Sequence, residues 1–211
     1  MHNGDLSKES PGFVGKLRGN TRRNKFTIYD SGHSPKEMRF VSTSQAKKHL
    51  RKELGAVIYS KNVSISLKPR VMTIGIPTLN EEGVPRVICP TSEGAENQAL
   101  EMVDAKDRRL QYLENKEPRY DKYTKTYILD FKGRVTIPSV KNFQLVLENN
   151  VGLFGGDRSV ERKTILQFGK IGADKFTMDF RHPLSPVQAF GIVLSAFEAW
   201  SVRVVRVSSD W

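Results

Sequence analysis

Close to its C-terminal end the chain carries a run that leaves few ways to fold around it. Ser185-Pro186 is a good N-cap and first-turn pair, and from Val187 to Trp200 the only polar side chains besides the tryptophan are Gln188, Ser195 and Glu198. At about 1.5 Å per residue such a helix is roughly 21 Å long, too short to cross a bilayer. Apolar almost all round, it needs burial on every side.

The rest of the chain reads mainly as short strands. Lys25-Phe26-Thr27-Ile28-Tyr29-Asp30 alternates, is rich in β-branched and aromatic residues, and stops at the turn pair Ser31-Gly32. Similar runs follow at 56–59, 63–67, 71–76, 126–131, 142–147, 164–168 and 175–180. Lys132-Gly133 and Gly172-Ala173-Asp174 suit hairpin connections, and Gly155-Gly156-Asp157 suits a flexible tip. An economical way to bury the apolar helix in such a meander is to wrap the sheet around it as an antiparallel β-barrel. The alternative packs the helix on one sheet face and leaves Phe190 or Phe197 in an interface.

Two segments have helical spacing. Ala95 to Leu113 places Ala99, Leu100, Val103, Leu110 and Leu113 on one face, with acids early and Arg108-Arg109 late, which predicts a helix within an acidic insertion at about 80–115. Gln45 to Leu54 is a second, shorter helix candidate that could equally feed the strand at Ala56. One domain over 13–200 is the simplest organisation, with a disordered leader over 1–12 and a tail over 201–211 that reads as a last strand or a frayed end.

The formal net charge is +11, which favours polyanionic partners. Its distribution is uneven. Residues 1–80 carry 15 Lys and Arg against 5 Asp and Glu, residues 81–115 carry 4 against 8, and residues 116–211 carry 15 against 10. A single cysteine, Cys89, excludes an internal disulfide and fits a reducing compartment.

Enzyme motifs fail on their mechanics. Gly12-Phe13-Val14-Gly15-Lys16 lacks the glycine spacing of a phosphate loop and the hydroxyl residue after its lysine. His2, His33, His49 and His182 stand alone, so no metal, cofactor or acid–base site is expected. What remains is basic. Lys16 and Arg18 share one side of an extended segment, Arg22, Arg23 and Lys25 follow, and Lys47, Lys48, Arg51 and Lys52 form a second cluster. Arg supplies bidentate donors to phosphate and Lys a mobile point charge, so these residues suit a multiply phosphorylated headgroup or, equally, a solvated basic face.

Phe131-Lys132-Gly133-Arg134-Val135-Thr136-Ile137-Pro138-Ser139-Val140-Lys141-Asn142-Phe143-Gln144 resembles the signature of the tubby C-terminal domain family, and Ala189-Phe190-Gly191-Ile192 through Phe197 resembles its second signature. Gly15-Lys16-Leu17-Arg18-Gly19-Asn20, Leu50-Arg51-Lys52-Glu53-Leu54 and Phe176-Thr177-Met178-Asp179 fall in the family's order. The resemblance implies a closed antiparallel barrel around a central apolar helix. It also implies a non-enzymatic module that binds phosphoinositides, chiefly phosphatidylinositol 4,5-bisphosphate. Lys16, Arg18 and Arg51 match its headgroup ligands, with Arg22, Arg23, Lys25, Lys47, Lys48 and Lys52 as an auxiliary patch. Such a module is expected in the cytoplasm and at the inner face of the plasma membrane, in signalling or membrane-protein trafficking, with the cilium or nucleus as further sites.

On the resemblance the family's domain begins well before Gly15, so its first strands are expected to lack a counterpart in this sequence, and an incomplete barrel would expose strand edges to a protein partner. Two alternatives follow: a nucleic-acid-binding transcription regulator that uses the same basic face, or a fragment of the domain without function.

Overall fold

A computed structural model describes residues 7, 10–39, 49–60, 71–123, 125–148 and 162–200. Eight strands form one antiparallel sheet: β1 (Gly15–Gly19), β2 (Lys25–Asp30), β3 (Glu53–Tyr59), β4 (Met72–Pro77), β5 (Leu110–Asn115), β8 (Phe143–Leu147), β9 (Thr164–Lys170) and β10 (Phe176–Phe180). They lie side by side in that order, and β6 (Arg119–Asp121) and β7 (Thr126–Ile128) pair separately. The sheet curls into a half-barrel around α2 (Pro186–Trp200), the apolar helix.

Strand alternation sends Phe26 and Ile28, Val57 and Tyr59, Ile74 and Ile76, and Leu166 and Phe168 inward onto Ala189, Ile192, Val193 and Ala196 of α2. The helix approaches β2 so closely that a Cβ on Gly191 would lie 2.9 Å from Ile28. Inside this core the Tyr59 hydroxyl donates to Ser195 Oγ at 2.9 Å, and Ser195 Oγ donates to the Ile192 carbonyl at 2.7 Å. The helix starts in a reciprocal cap: the Ser185 N–H donates to Gln188 Oε1 at 2.8 Å and the Gln188 N–H to Ser185 Oγ at 3.3 Å.

The wrapping is one-sided. Phe190 is 56% and Leu194 38% exposed, so the half-barrel leaves one stripe of α2 uncovered. Within the described strands, β1 pairs only with β2 and β10 only with β9.

One helix expectation is corrected. Within Ala95 to Leu113 the α-helix is Gln98–Asp104 (α1), and Leu110 and Leu113 belong to β5. The chain reverses between them because Lys106 adopts a left-handed φ of 51° and the Asp107 carboxylate accepts the Arg109 N–H at 2.8 Å. From there the period changes to two: Leu110 and Tyr112 pack with α1 on the outer face, and Leu113 enters the inner core. The candidate helix over 45–54 is described only from His49, which is helical, and its end, Glu53 and Leu54, starts β3, so the segment feeds that strand. Lys132-Gly133 does form a turn, with φ 51° and 74°, but it stands between β7 and β8, which do not pair with each other. The connection at 172–174 joins β9 to β10 as expected. The strand expected at 63–67, the tip at 155–157, the tail at 201–211 and most of the leader lie outside the described residues.

Candidate anion site

The basic residues of β1 meet the acidic insertion on the outer face of the sheet. Lys16 stands opposite Tyr29 and Arg18 opposite Thr27, so all four share that face. Arg51 arrives from the segment entering β3. Its backbone is fixed by His33, whose N–H donates to the His49 carbonyl and whose carbonyl accepts the Arg51 N–H, both at 2.8 Å. Asp30 Oδ1 accepts the N–H groups of Gly32 at 3.0 Å and Lys52 at 2.8 Å. Gly32 is required here, since a Cβ would lie 2.5 Å from Arg51 Cα and 2.6 Å from its nitrogen.

The two guanidiniums converge on one carboxylate. Arg18 Nη1 lies 3.3 Å from Glu96 Oε2, and Arg51 Nη2 donates to Glu96 Oε1. The Arg51 side chain is 3% exposed, against 52% for Arg18. Its guanidinium lies 4.5 Å above the Tyr29 ring, and its Nε is buried without a hydrogen-bond partner.

Glu96 is held at the head of α1 by a buried polar anchor. Glu53, 1% exposed, accepts the N–H groups of Asn97 at 2.6 Å and Ala99 at 2.7 Å. Asn97 sits at a left-handed φ of 74°, and its Oδ1 accepts the hydroxyls of Thr27 at 3.0 Å and Tyr29 at 3.1 Å. Burial, then the charge of Glu53, pushes the Tyr29 phenol up to about 12, so it remains a neutral donor. Burial likewise raises the Glu53 carboxyl, against the pull of the N–H groups it accepts. The Cys89 thiol donates to the Arg51 carbonyl across 3.8 Å, and burial raises its pKa.

The auxiliary cations are treated unequally. Arg22 and Lys52 are exposed. Arg23 pairs with Glu198 at 2.8 Å and Lys25 with Asp104 at 2.6 Å. Lys47 and Lys48 lie outside the described residues. Glu53, Glu96, Asn97 and Tyr29 were not expected as site residues. The signal for Glu96 was the acid surplus over 81–115 set against the basic surplus over 1–80. Among the described residues no group of three or more metal-ligating side chains converges, and no helix is long and apolar enough to cross a membrane.

A sequence model of the Tub family matches residues 1–199. The chain is 41% identical over 197 residues to Tubby protein homolog 1 of Caenorhabditis elegans, a match covering 92% of this chain and 42% of that protein. It is 41% identical over 193 residues to Tubby-related protein 2 of Homo sapiens, covering 91% and 34%, and 38% identical over 201 residues to Tubby-related protein 3 of Homo sapiens, covering 92% and 41%. The chain thus spans less than half the length of these relatives.

Proposed function

This chain belongs to the Tub family, and on that premise we propose that it is a non-enzymatic phosphoinositide-binding module that tethers to the plasma membrane through phosphatidylinositol 4,5-bisphosphate. The observation that carries the reading is the convergence of Arg18 and Arg51, from separate segments, on a single oxyanion beside Lys16. Two guanidiniums aimed at one group of oxygens suit a phosphate, which accepts several charge-assisted hydrogen bonds at once. Arg51 contributes a buried donor set already packed on Tyr29, so little side-chain freedom is lost on binding. Arg22 and Lys52 add long-range attraction to an anionic leaflet, each worth about 1 kcal/mol near the surface and weakened by salt. Membrane-protein trafficking, signalling and any ciliary or nuclear role belong to the same proposal.

Vesicle sedimentation at matched total charge tests it. The parent binds phosphatidylcholine vesicles containing phosphatidylinositol 4,5-bisphosphate more tightly than vesicles containing phosphatidylserine, and Lys16→Ala/Arg18→Ala loses at least about tenfold more on the former than on the latter, or about 1.4 kcal/mol. Equal binding of both vesicles, or an unaffected variant, overturns the reading. Duplex DNA that competes better than a soluble inositol phosphate favours the nucleic-acid alternative instead.

A further inference from the structure

We propose that Glu96 is an internal occupant of the anion pocket, a carboxylate that a phosphorylated headgroup must displace to reach Arg51. This rests on the reading of Lys16, Arg18 and Arg51 as headgroup ligands. The geometry is that of a bound ligand: each Glu96 oxygen takes one guanidinium, Oε2 from Arg18 and Oε1 from Arg51. With its side chain 3% exposed while paired with Glu96, the Arg51 guanidinium presents almost no surface to an incoming anion as long as this pair is closed.

The pair leaves capacity unused. Arg51 Nε has no partner, and the Arg18 contact is long at 3.3 Å on a half-exposed side chain. A carboxylate brings two oxygens and one charge, whereas a phosphomonoester brings three strong acceptors and nearly two charges at neutral pH. The phosphate therefore wins the exchange, although a carboxylate tethered beside the pocket competes at high effective concentration.

The anchor beneath lets the exchange stay local. Asn97 and Ala99 hold the backbone through Glu53, and Asn97 holds Thr27 and Tyr29, so Glu96 can swing outward while α1 stays seated. Glu96 then sets the affinity of the pocket. It lowers the grip on the headgroup below what the cations could achieve, and it keeps membrane attachment reversible.

The test compares the parent with Glu96→Gln and, as a control for the charge change alone, Glu101→Gln on α1, which lies off the pocket. Binding is read on phosphatidylcholine vesicles carrying phosphatidylinositol 4,5-bisphosphate and, at matched charge, phosphatidylserine. Glu96→Gln is expected to tighten bisphosphate binding by about tenfold relative to Glu101→Gln, equivalent to about 1.4 kcal/mol, with the two variants alike on phosphatidylserine. If circular dichroism shows Glu96→Gln unfolded, Glu96→Asp keeps the charge but is too short to bridge both guanidiniums, and it is expected to tighten binding as well. A parent that binds the bisphosphate with Glu96→Gln no tighter than Glu101→Gln, or with Glu96→Asp at the parental level where that variant replaces it, overturns the internal occupant and leaves the headgroup reading standing. Capture by Glu96→Gln alone supports it, and no binding by the parent or by any folded Glu96 variant overturns both.

Discussion

Glu53 accepts the backbone N–H groups of Asn97 and Ala99 on its two carboxylate oxygens at 2.6 and 2.7 Å while itself 1% exposed. One side chain at the start of β3 thereby fastens the head of α1, and with it Glu96, to the sheet. Glu53→Ala leaves the buried Ala99 N–H unmet, at a cost of about 1–3 kcal/mol, whereas Asn97 is exposed and its N–H can turn to water. The expected loss is about 2 kcal/mol, read as a lower urea midpoint with an unchanged slope. A variant within a few tenths of the parent would mean that water meets the Ala99 N–H as well.

The hydroxyl pair inside the half-barrel is a second buried contact with a defined direction. Tyr59→Phe removes the donor to Ser195 Oγ, whose own proton goes to the Ile192 carbonyl. The ring stays packed on Phe26 at 5.9 Å, so the core packing is kept while the hydroxyl is removed. The expected cost is about 1 kcal/mol. Chemical denaturation of the two proteins side by side checks it.

Gly32 tests how Arg51 is positioned. The atoms a Cβ would meet are backbone atoms of Leu50 and Arg51, which do not move aside as a flexible side chain would. Gly32→Ala should lower stability and also weaken bisphosphate-vesicle binding, because Arg51 is moved off Tyr29 and out of reach of the oxyanion position it shares with Arg18. Loss of stability with full binding would separate this turn from the pocket.

Acid sensitivity has a worked sign. The Asp179 carboxyl is held below its usual range first by Arg134, at 2.7 Å, and then by Gln167. A carboxyl depressed on folding stabilises the fold above its unfolded value near 3.8, and the contribution is lost as pH falls through the folded value. Glu53 acts in the opposite sense: its raised pKa makes its charged form a cost that grows as pH rises past 4.5. Asp179→Asn should therefore be less stable than the parent at pH 7, with the gap closing as pH falls below about 4. Thermal unfolding across that range measures it, and a gap independent of pH would rule out the ion pair as its source.

Much of the fold was legible from short-range pattern. Lys25 to Asp30, the runs in β8, β9 and β10, and the apolar helix after Ser185-Pro186 all form where period and caps predict. The reading failed where one spacing served two periods: Leu110 and Leu113 fit a helix face as well as a strand, and the Asp107 turn with β4 and β8 alongside decides for the strand. The cap partner Gln188 was visible three residues after Ser185 and went unused.

For the site, the sequence by itself determined which residues carry charge, that Lys16 and Arg18 share a strand face, and that a basic region precedes an acidic one. Only the tertiary structure decided that Arg18 and Arg51 meet, that they meet on Glu96, and that Arg51 is buried while Arg18 is not. It also decided that Phe190 stays exposed on a helix whose composition called for burial on every side. The reason is physical. Period and capping act over a few residues of one segment, whereas ion pairing and burial depend on segments far apart in sequence that only the curled sheet and the docked α1 bring into contact.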